Sequence, residues 1–164
     1  MTEKEILLLG TPQLYEKSLP VAPEELDEIE VIVQDLHDTM MAFRVKYGVG
    51  RAIAAPQIFI MKRLIYMHID QPVVIINPRL VNLSEEMITL WDDCMCFPDF
   101  LVRVSRHKSM KIIFRDLQWN ERSLDLEGDL SELLQHEYDH LDGILAFSRA
   151  IDNHSYALRS ALPE

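Results

Sequence analysis

The stretch Gln135-His136-Glu137-Tyr138-Asp139-His140 constrains this chain more than any other. Its two histidines are four apart, and residues four apart lie on one face of a helix. Two imidazoles so placed can hold one metal ion, while Glu137, next to the first, turns a carboxylate toward water at that ion. A helix over about Asp129 to Asp142, stopped by Gly143, accommodates the motif. Neutral imidazole nitrogen suits Zn, Fe, Co or Ni. Glu137 then reads as a general base and not as a ligand. Asp139 or Asp142 reads as the group that orients a ligand imidazole. The competing reading is an acidic helix whose two histidines simply face solvent, and the short H-E-x-x-H pattern also arises by chance. The metal reading therefore needs a third ligand. Cys94 is the candidate, because it sits in a polar, acidic break (Trp91–Pro98) between strand-like runs, where functional residues concentrate. A buried thiol with no ligand role is the alternative. His37, His68, His107 and His154 are scattered and read as ordinary surface or core residues.

A fold that buries such a helix needs a core around it. The 164 residues fit one domain, expected to span 1–164, and 48% of them are apolar, enough for that core. The formal net charge of −11 argues against nucleic acid and anionic membrane as partners, since both repel an acidic chain. Cys94 and Cys96 are too close for an unstrained disulfide and read as reduced thiols. Met1 to Gly10 lacks the long apolar run of a signal peptide, and no stretch approaches the length of a membrane span. A cytoplasmic protein is the expectation.

Thr11–Pro23, with Pro12, Pro20 and Pro23, should be an extended, turn-rich lead-in. Leu26, Ile29, Val33, Leu36, Met40 and Phe43 recur at spacings of three and four, which predicts a helix from Glu24 to about Tyr47. Gly48 and Gly50 end it, and Ala52–Gln57 follows as a small-residue stretch. Strand-like runs come next at Arg63–Ile69, Val73–Ile76, Met87–Trp91, Leu101–Ser105 and Ser109–Phe114. Asn77-Pro78 and Asp116–Asn120 read as turns. Helix, block of strands, helix is the order of an α+β domain with a mostly antiparallel sheet.

Three blocks in this order resemble the peptide deformylase family. Gly48–Gln57, ending Ile53-Ala54-Ala55-Pro56-Gln57, is similar to its G-x-G-φ-A-A-P-Q motif, where φ is apolar. Asp92-Asp93-Cys94-Met95-Cys96 stands for E-G-C-L-S, and Gln135 to Gly143 matches Q-H-E-x-D-H-L-x-G in full. Gly10-Thr11-Pro12 and Ile76-Asn77-Pro78 are similar as well. The resemblance implies mostly antiparallel sheets around a central H-E-x-x-H helix. It implies one divalent metal ion on Cys94, His136 and His140, with Fe2+ expected in the cell and Zn2+, Ni2+ or Co2+ as alternatives. Glu137 would move the proton, and the Gln57 side chain with the Met95 backbone N–H would form an oxyanion hole. The implied reaction removes formyl from N-formylmethionine at the start of new polypeptides.

The departures cluster at the groove. Arg51-Ala52-Ile53 stands where the family has one apolar residue, which reads as a two-residue insertion. Such an insertion either reshapes the substrate-binding backbone of Val49, Gly50 and Arg51 or forms a bulge with Arg51 in solvent. Asp92-Asp93 replaces Glu-Gly, leaving Asp92 able to pair with Arg106. Cys96 replaces serine and adds a second thiol. In the tail Ala146–Glu164 only Arg149 and Arg159 are basic, so ribosome docking through a long basic C-terminal helix does not carry over. Two other functions fit these residues. One is a deformylase-like amidohydrolase with another small N-acyl substrate, and the other is a metal-binding relative without catalysis. An H-E-x-x-H protease would need a third His or Glu ligand after His140, and Cys94 upstream fits better.

Overall fold

The computed structural model describes residues 2–162. Helix α1 (Leu26–Tyr47) forms where the 3.6-residue stripe predicts it, preceded by a 3-10 turn over Pro23–Glu25. Its buried Ile29, Ile32, Leu36 and Met40 pack on Ile53, Leu64, Tyr66 and Ile76. Gly48 ends it at φ +73, its N–H donating to the Arg44 carbonyl at 2.8 Å. Only glycine takes that backbone shape at no steric cost.

Among the described residues eight strands follow: β1 (Ala52–Ala54), β2 (Leu64–His68), β3 (Pro72–Val81), β4 (Met87–Asp92), β5 (Phe100–His107), β6 (Ser109–Arg115), β7 (Glu121–Glu127) and β8 (Tyr156–Leu158). They make a five-stranded sheet in the order β1-β2-β3-β6-β7 and a three-stranded sheet in the order β4-β5-β8. Every strand pairing is antiparallel. Only Lys108 separates β5 from β6, so the chain changes sheets there. Helix α2 (Asp129–Leu141) packs against β1 and β7 of the larger sheet and β5 of the smaller. The α+β class and the central H-E-x-x-H helix both hold.

Three strands lie outside the sequence reading. Ala52–Ala54 is short and wholly buried, with no alternation to read. Glu121–Glu127 turns only Leu124 and Leu126 inward and lines a sheet edge with charge, a common defence of edges. Tyr156–Leu158 forms by pairing with β5. Asn77-Pro78 is not a turn. It is a bulge inside β3, where pairing with β6 jumps between Ile76 and Arg79 and Asn77 takes φ +49. The Asn77 amide clamps the Val21 backbone, accepting from its N–H and donating to its carbonyl, both at 2.8 Å. A bulge also tolerates Pro78, which has no N–H for the ladder.

Candidate metal centre and its pocket

Helix α2 is buried on almost every side, which its amphipathic spacing alone does not announce. Leu134 and Leu141 sit in the apolar core with Ile65, Ile75 and Ile112. On its other faces Gln135, His136, Glu137, Asp139 and His140 are buried as well, which removes the solvent-facing reading of the histidines. Buried polar groups need partners, and most of these have them. The Gln135 amide accepts from the His107 N–H at 3.0 Å and donates to the His107 carbonyl at 2.8 Å, tying α2 to the end of β5. Asp139 takes Arg106 Nη1 at 2.7 Å and a two-point grip from Arg149.

The exceptions point to chemistry. Among the described residues, Glu137 Oε2 and His140 Nδ1 are buried without a hydrogen-bond partner. His140 Nε2 lies 3.2 Å from His136 Nε2 and 3.3 Å from Cys94 Sγ. One ligand atom from each of Cys94, His136 and His140 falls within 4.8 Å of the others, and all three side chains are buried. A tetrahedral ion at ordinary bond lengths sets such atoms about 3.3–3.6 Å apart. The donor set, two imidazoles and a thiolate, fits zinc or ferrous iron rather than magnesium or calcium. Bound on these three side chains, a tetrahedral ion would keep a fourth position for water, as catalytic centres require.

Asp92, not Asp139 or Asp142, orients the His136 imidazole. Its Oδ2 accepts from His136 Nδ1 at 2.8 Å and from Arg106 Nη2 at 2.9 Å. An ionised carboxylate can only accept, so Nδ1 of His136 carries a proton, and Nε2, 3.2 Å from His140 Nε2, is the nitrogen left for a metal. Asp139 is committed to Arg106 and Arg149, and Asp142 to Arg63. The Asp92–Arg106 pairing expected from sequence is present. Burial opposes charge on Asp92, but His136 and Arg106 outweigh it and hold its pKa down to about 2. Burial likewise opposes charge on His136, yet Asp92 raises its pKa to about 9. His140 is pushed well down by burial and by neighbouring His136, so it stays neutral. Burial pushes the Glu137 carboxyl up to about 7, which suits a group that takes and returns a proton near neutrality.

Cys94 is buried, and so is Cys96. The Cys96 N–H points at Cys94 Sγ from 3.5 Å. Gln57 comes from the 3-10 turn Ala55–Ile58 directly after β1. Its Oε1 accepts from the Ala54 N–H at 2.8 Å, which fixes the amide orientation. The Nε2 then faces the thiols, 3.6 Å from Cys94 Sγ and 3.4 Å from Cys96 Sγ. Alanines at 52, 54 and 55 are nearly inaccessible, and their small side chains let β1 and this turn lie close against α2.

These groups line a cavity of about 600 Å³. Val49, Gly50, Arg51 and Met95 line it too, so every sequence-predicted site residue meets there except His140, which closes the metal cluster behind it. Arg51 is neither in a bulge nor free in solvent. β1 pairs with β2 in unbroken register, Ala52 opposite Met67 and Ala54 opposite Ile65. A strand without a bulge holds no extra residues, and Gly50-Arg51-Ala52-Ile53 matches the motif without a gap once Ala52 takes the second glycine's place. The Arg51 guanidinium crosses the cavity wall to Asp129 at 3.0 Å and Glu132 at 3.3 Å. Sequence reasoning missed Glu132, although it lies four residues before His136 and helix spacing places it on the same face.

A buried cluster of Cys94, His136 and His140 able to hold a metal ion, beside a raised carboxylic acid and an aimed amide N–H, fits the class of metal-dependent hydrolases. The polypeptide deformylase family matches residues 3–155. The peptide deformylase of Rhizobium meliloti is 34% identical over 151 residues, covering 88% of this chain and 83% of that one. Among solved structures, a Synechococcus elongatus peptide deformylase in complex with actinonin superposes with a TM-score of 0.86 at 25% identity, covering 94% of this chain and 82% of the other. A Met-Ala-Ser-bound class I type b deformylase from Acinetobacter baumannii gives 0.83 at 28% identity, covering 91% and 99%. This chain belongs to the polypeptide deformylase family. Its activity is the removal of the formyl group from N-formylmethionine at the N-terminus of polypeptides.

Proposed function

We propose that Cys94, His136 and His140 hold one divalent ion and that Glu137 is the proton carrier of the deformylation. The observation that carries this is the buried Glu137 carboxyl, unpartnered at Oε2, lining the cavity onto which Cys94 and His136 also face. A divalent ion in such a place acidifies water and polarises a carbonyl. Glu137 takes a proton from the attacking water and delivers it to the departing amine. Water and the formamide bond become formate and a free N-terminus, with the proton count balanced. The Gln57 amide N–H and the Met95 backbone N–H stabilise the oxygen that gains charge. Val49, Gly50 and Arg51 border the groove that receives the peptide.

Ferrous iron is the ion we assign in the cell, with zinc, nickel or cobalt able to replace it on the same donors. A reduced compartment goes with two free buried thiols, and we place the protein in the cytoplasm. Among the described residues no helix is long and apolar enough to cross a membrane. Among the described residues the two arginines of the tail are paired, Arg149 with Asp139 and Arg159 with Asp93.

Anaerobically purified protein, analysed for metal and assayed on formyl-Met and acetyl-Met peptides, tests the reading. Formate from the first and no acetate from the second is the expected result. Acetate without formate would make the chain an amidohydrolase for another small N-acyl group.

A further inference from the structure

The loop that carries Cys94 is held on two sides. Residues 93–99 join β4 to β5. On one side the Leu9 N–H donates to the Cys96 carbonyl at 2.9 Å. On the other stands Arg159, directly after β8. Its backbone N–H donates to the Asp99 carbonyl at 2.8 Å, its Nε to the Pro98 carbonyl at 3.1 Å and its Nη2 to Asp93 Oδ2 at 3.1 Å. One residue thus grips both ends of the loop. β8 itself pairs with β5 where the loop ends, Leu158 opposite Phe100. Aromatic rings add a further tie. Phe97 of the loop meets Phe147 edge-on with centroids 4.9 Å apart, and Phe147 stacks on Tyr156 of β8 at 5.3 Å.

Two departures from the family meet in this contact. Asp93 stands where the motif has glycine, which has no side chain to offer, and Asp93 does not take a positive φ, so the backbone there does not call for glycine. Arg159 lies beyond residues 3–155, the part the family matches. Asp93, Pro98, Asp99 and Arg159 line the cavity together with Cys94 and Met95. An isolated, half-exposed ion pair contributes little. Here the planar guanidinium makes two bonds at once and the backbone N–H of the same residue makes a third, so three contacts share the ordering of one side chain.

We propose that Arg159 is a positioning residue for the metal centre: by clamping Asp93, Pro98 and Asp99 it holds Cys94 Sγ beside His136 and His140 and slows loss of the ion. The inference rests on Cys94, His136 and His140 being the ligands. Asp93 is joined directly to Cys94, so releasing its carboxylate frees the backbone that aims the thiol. A thiolate on a loosened loop leaves the ion more often, and each departure lets a proton or a chelator take its place.

The test loads full-length protein with cobalt(II) and follows the thiolate-to-cobalt absorption, the rate at which excess EDTA removes the ion, and the melting of the metal-free chain. Arg159→Met keeps the stem and removes the guanidinium. Arg159→Lys keeps the charge without the fork. Arg122→Ala, which breaks the pair with Asp116 at the β6–β7 turn in the other sheet, controls for general loosening. The expected result for Arg159→Met is cobalt loss about tenfold faster, with a shifted or weakened thiolate band. Its metal-free chain should melt close to the wild type, because the pair is half-exposed. Arg159→Lys should fall between the two, and Arg122→Ala should keep the wild-type rate and band. Asp93→Ala should speed loss by a similar factor, and combining it with Arg159→Met should add little, since both remove one contact. A wild-type rate and band in Arg159→Met overturn the inference, as do an equal rise in Arg122→Ala or additive effects of Asp93→Ala and Arg159→Met. Wild-type protein that takes up cobalt without a thiolate band, or takes up none, overturns the ligand reading itself and the inference with it.

Discussion

At the residue scale the site divides into groups that touch the reaction and groups that hold them. Glu137→Gln keeps the shape and removes the proposed base. The loss of deformylation should be about 10²–10⁴-fold, with metal content per chain unchanged by elemental analysis. Gln57→Leu removes one donor to the charged oxygen and should lower kcat by about 10²–10³-fold, while KM moves little. Asp92→Asn acts through His136. It removes the negative charge that holds His136 Nδ1–H and Arg106 and leaves one neutral oxygen to serve both, so metal affinity should fall by about 10–100-fold in a chelator competition. Asp92 also carries an acid signature. Its folded pKa of about 2 lies below the ordinary 3.8, so the unfolded chain binds more protons between those values. The stabilisation, about 2 kcal/mol, is present above pH 4 and lost as pH falls toward 2. The variant should show a flatter stability curve across that window.

At the element scale, the end of α2 is set by what lies beside it. Gly143 takes φ +71, and a Cβ there would stand 2.5 Å from the Tyr15 backbone carbonyl group. Backbone cannot give way as a side chain does. Gly143→Ala should therefore cost about 3 kcal/mol or more, from left-handed strain plus overpacking, read as a lower denaturant midpoint. The same contact seats the turn at Pro12–Tyr15 against the helix end, with Ser18 N–H donating to the Leu141 carbonyl at 2.8 Å. Helix α1 was legible in its stripe because one face is apolar and the other wet. Helix α2 was legible only as a helix. Its burial was hidden, since a helix with polar residues on several faces looks solvent-exposed until other elements supply Asp92, Arg106 and His107 as partners. β1 was hidden for the opposite reason, because three small buried residues carry no period.

At the scale of the molecule, two sheets and two helices close around charge that is compensated only in part. Burial raises both Glu132 and Glu137 to about 7. Asp92 raises His136 to about 9. Each raised group makes the folded protein bind more protons than the unfolded chain above the ordinary pKa. Stability of the chelated protein should therefore decline as pH rises from about 5 to 9, by thermal melts in buffers of matched ionic strength. Metal reverses this by neutralising the site, so the gain in Tm on adding metal should be larger at pH 8 than at pH 6. A cation also favours the Glu137 carboxylate, which puts the acid limb of kcat/KM at or below pH 7. That limb should vanish in the residual activity of Glu137→Gln.

The sequence by itself pointed to the cluster that could hold a metal and to the carboxyl beside it. Cys94, His136, His140, Glu137 and Gln57 are all short-range signals, set by a helical spacing or by motifs a few residues long, and a local pattern survives in a linear string. Only the tertiary structure decided which carboxylate orients His136, because Asp92 and His136 are 44 residues apart and meet through β4 and α2. It also decided where Arg51 points. An arginine in an apolar motif looks like an insertion or a solvent bulge, until Asp129 and Glu132 are brought across the cavity to receive it. Partners distant in sequence are chosen by packing, and packing is what a chain read residue by residue does not show.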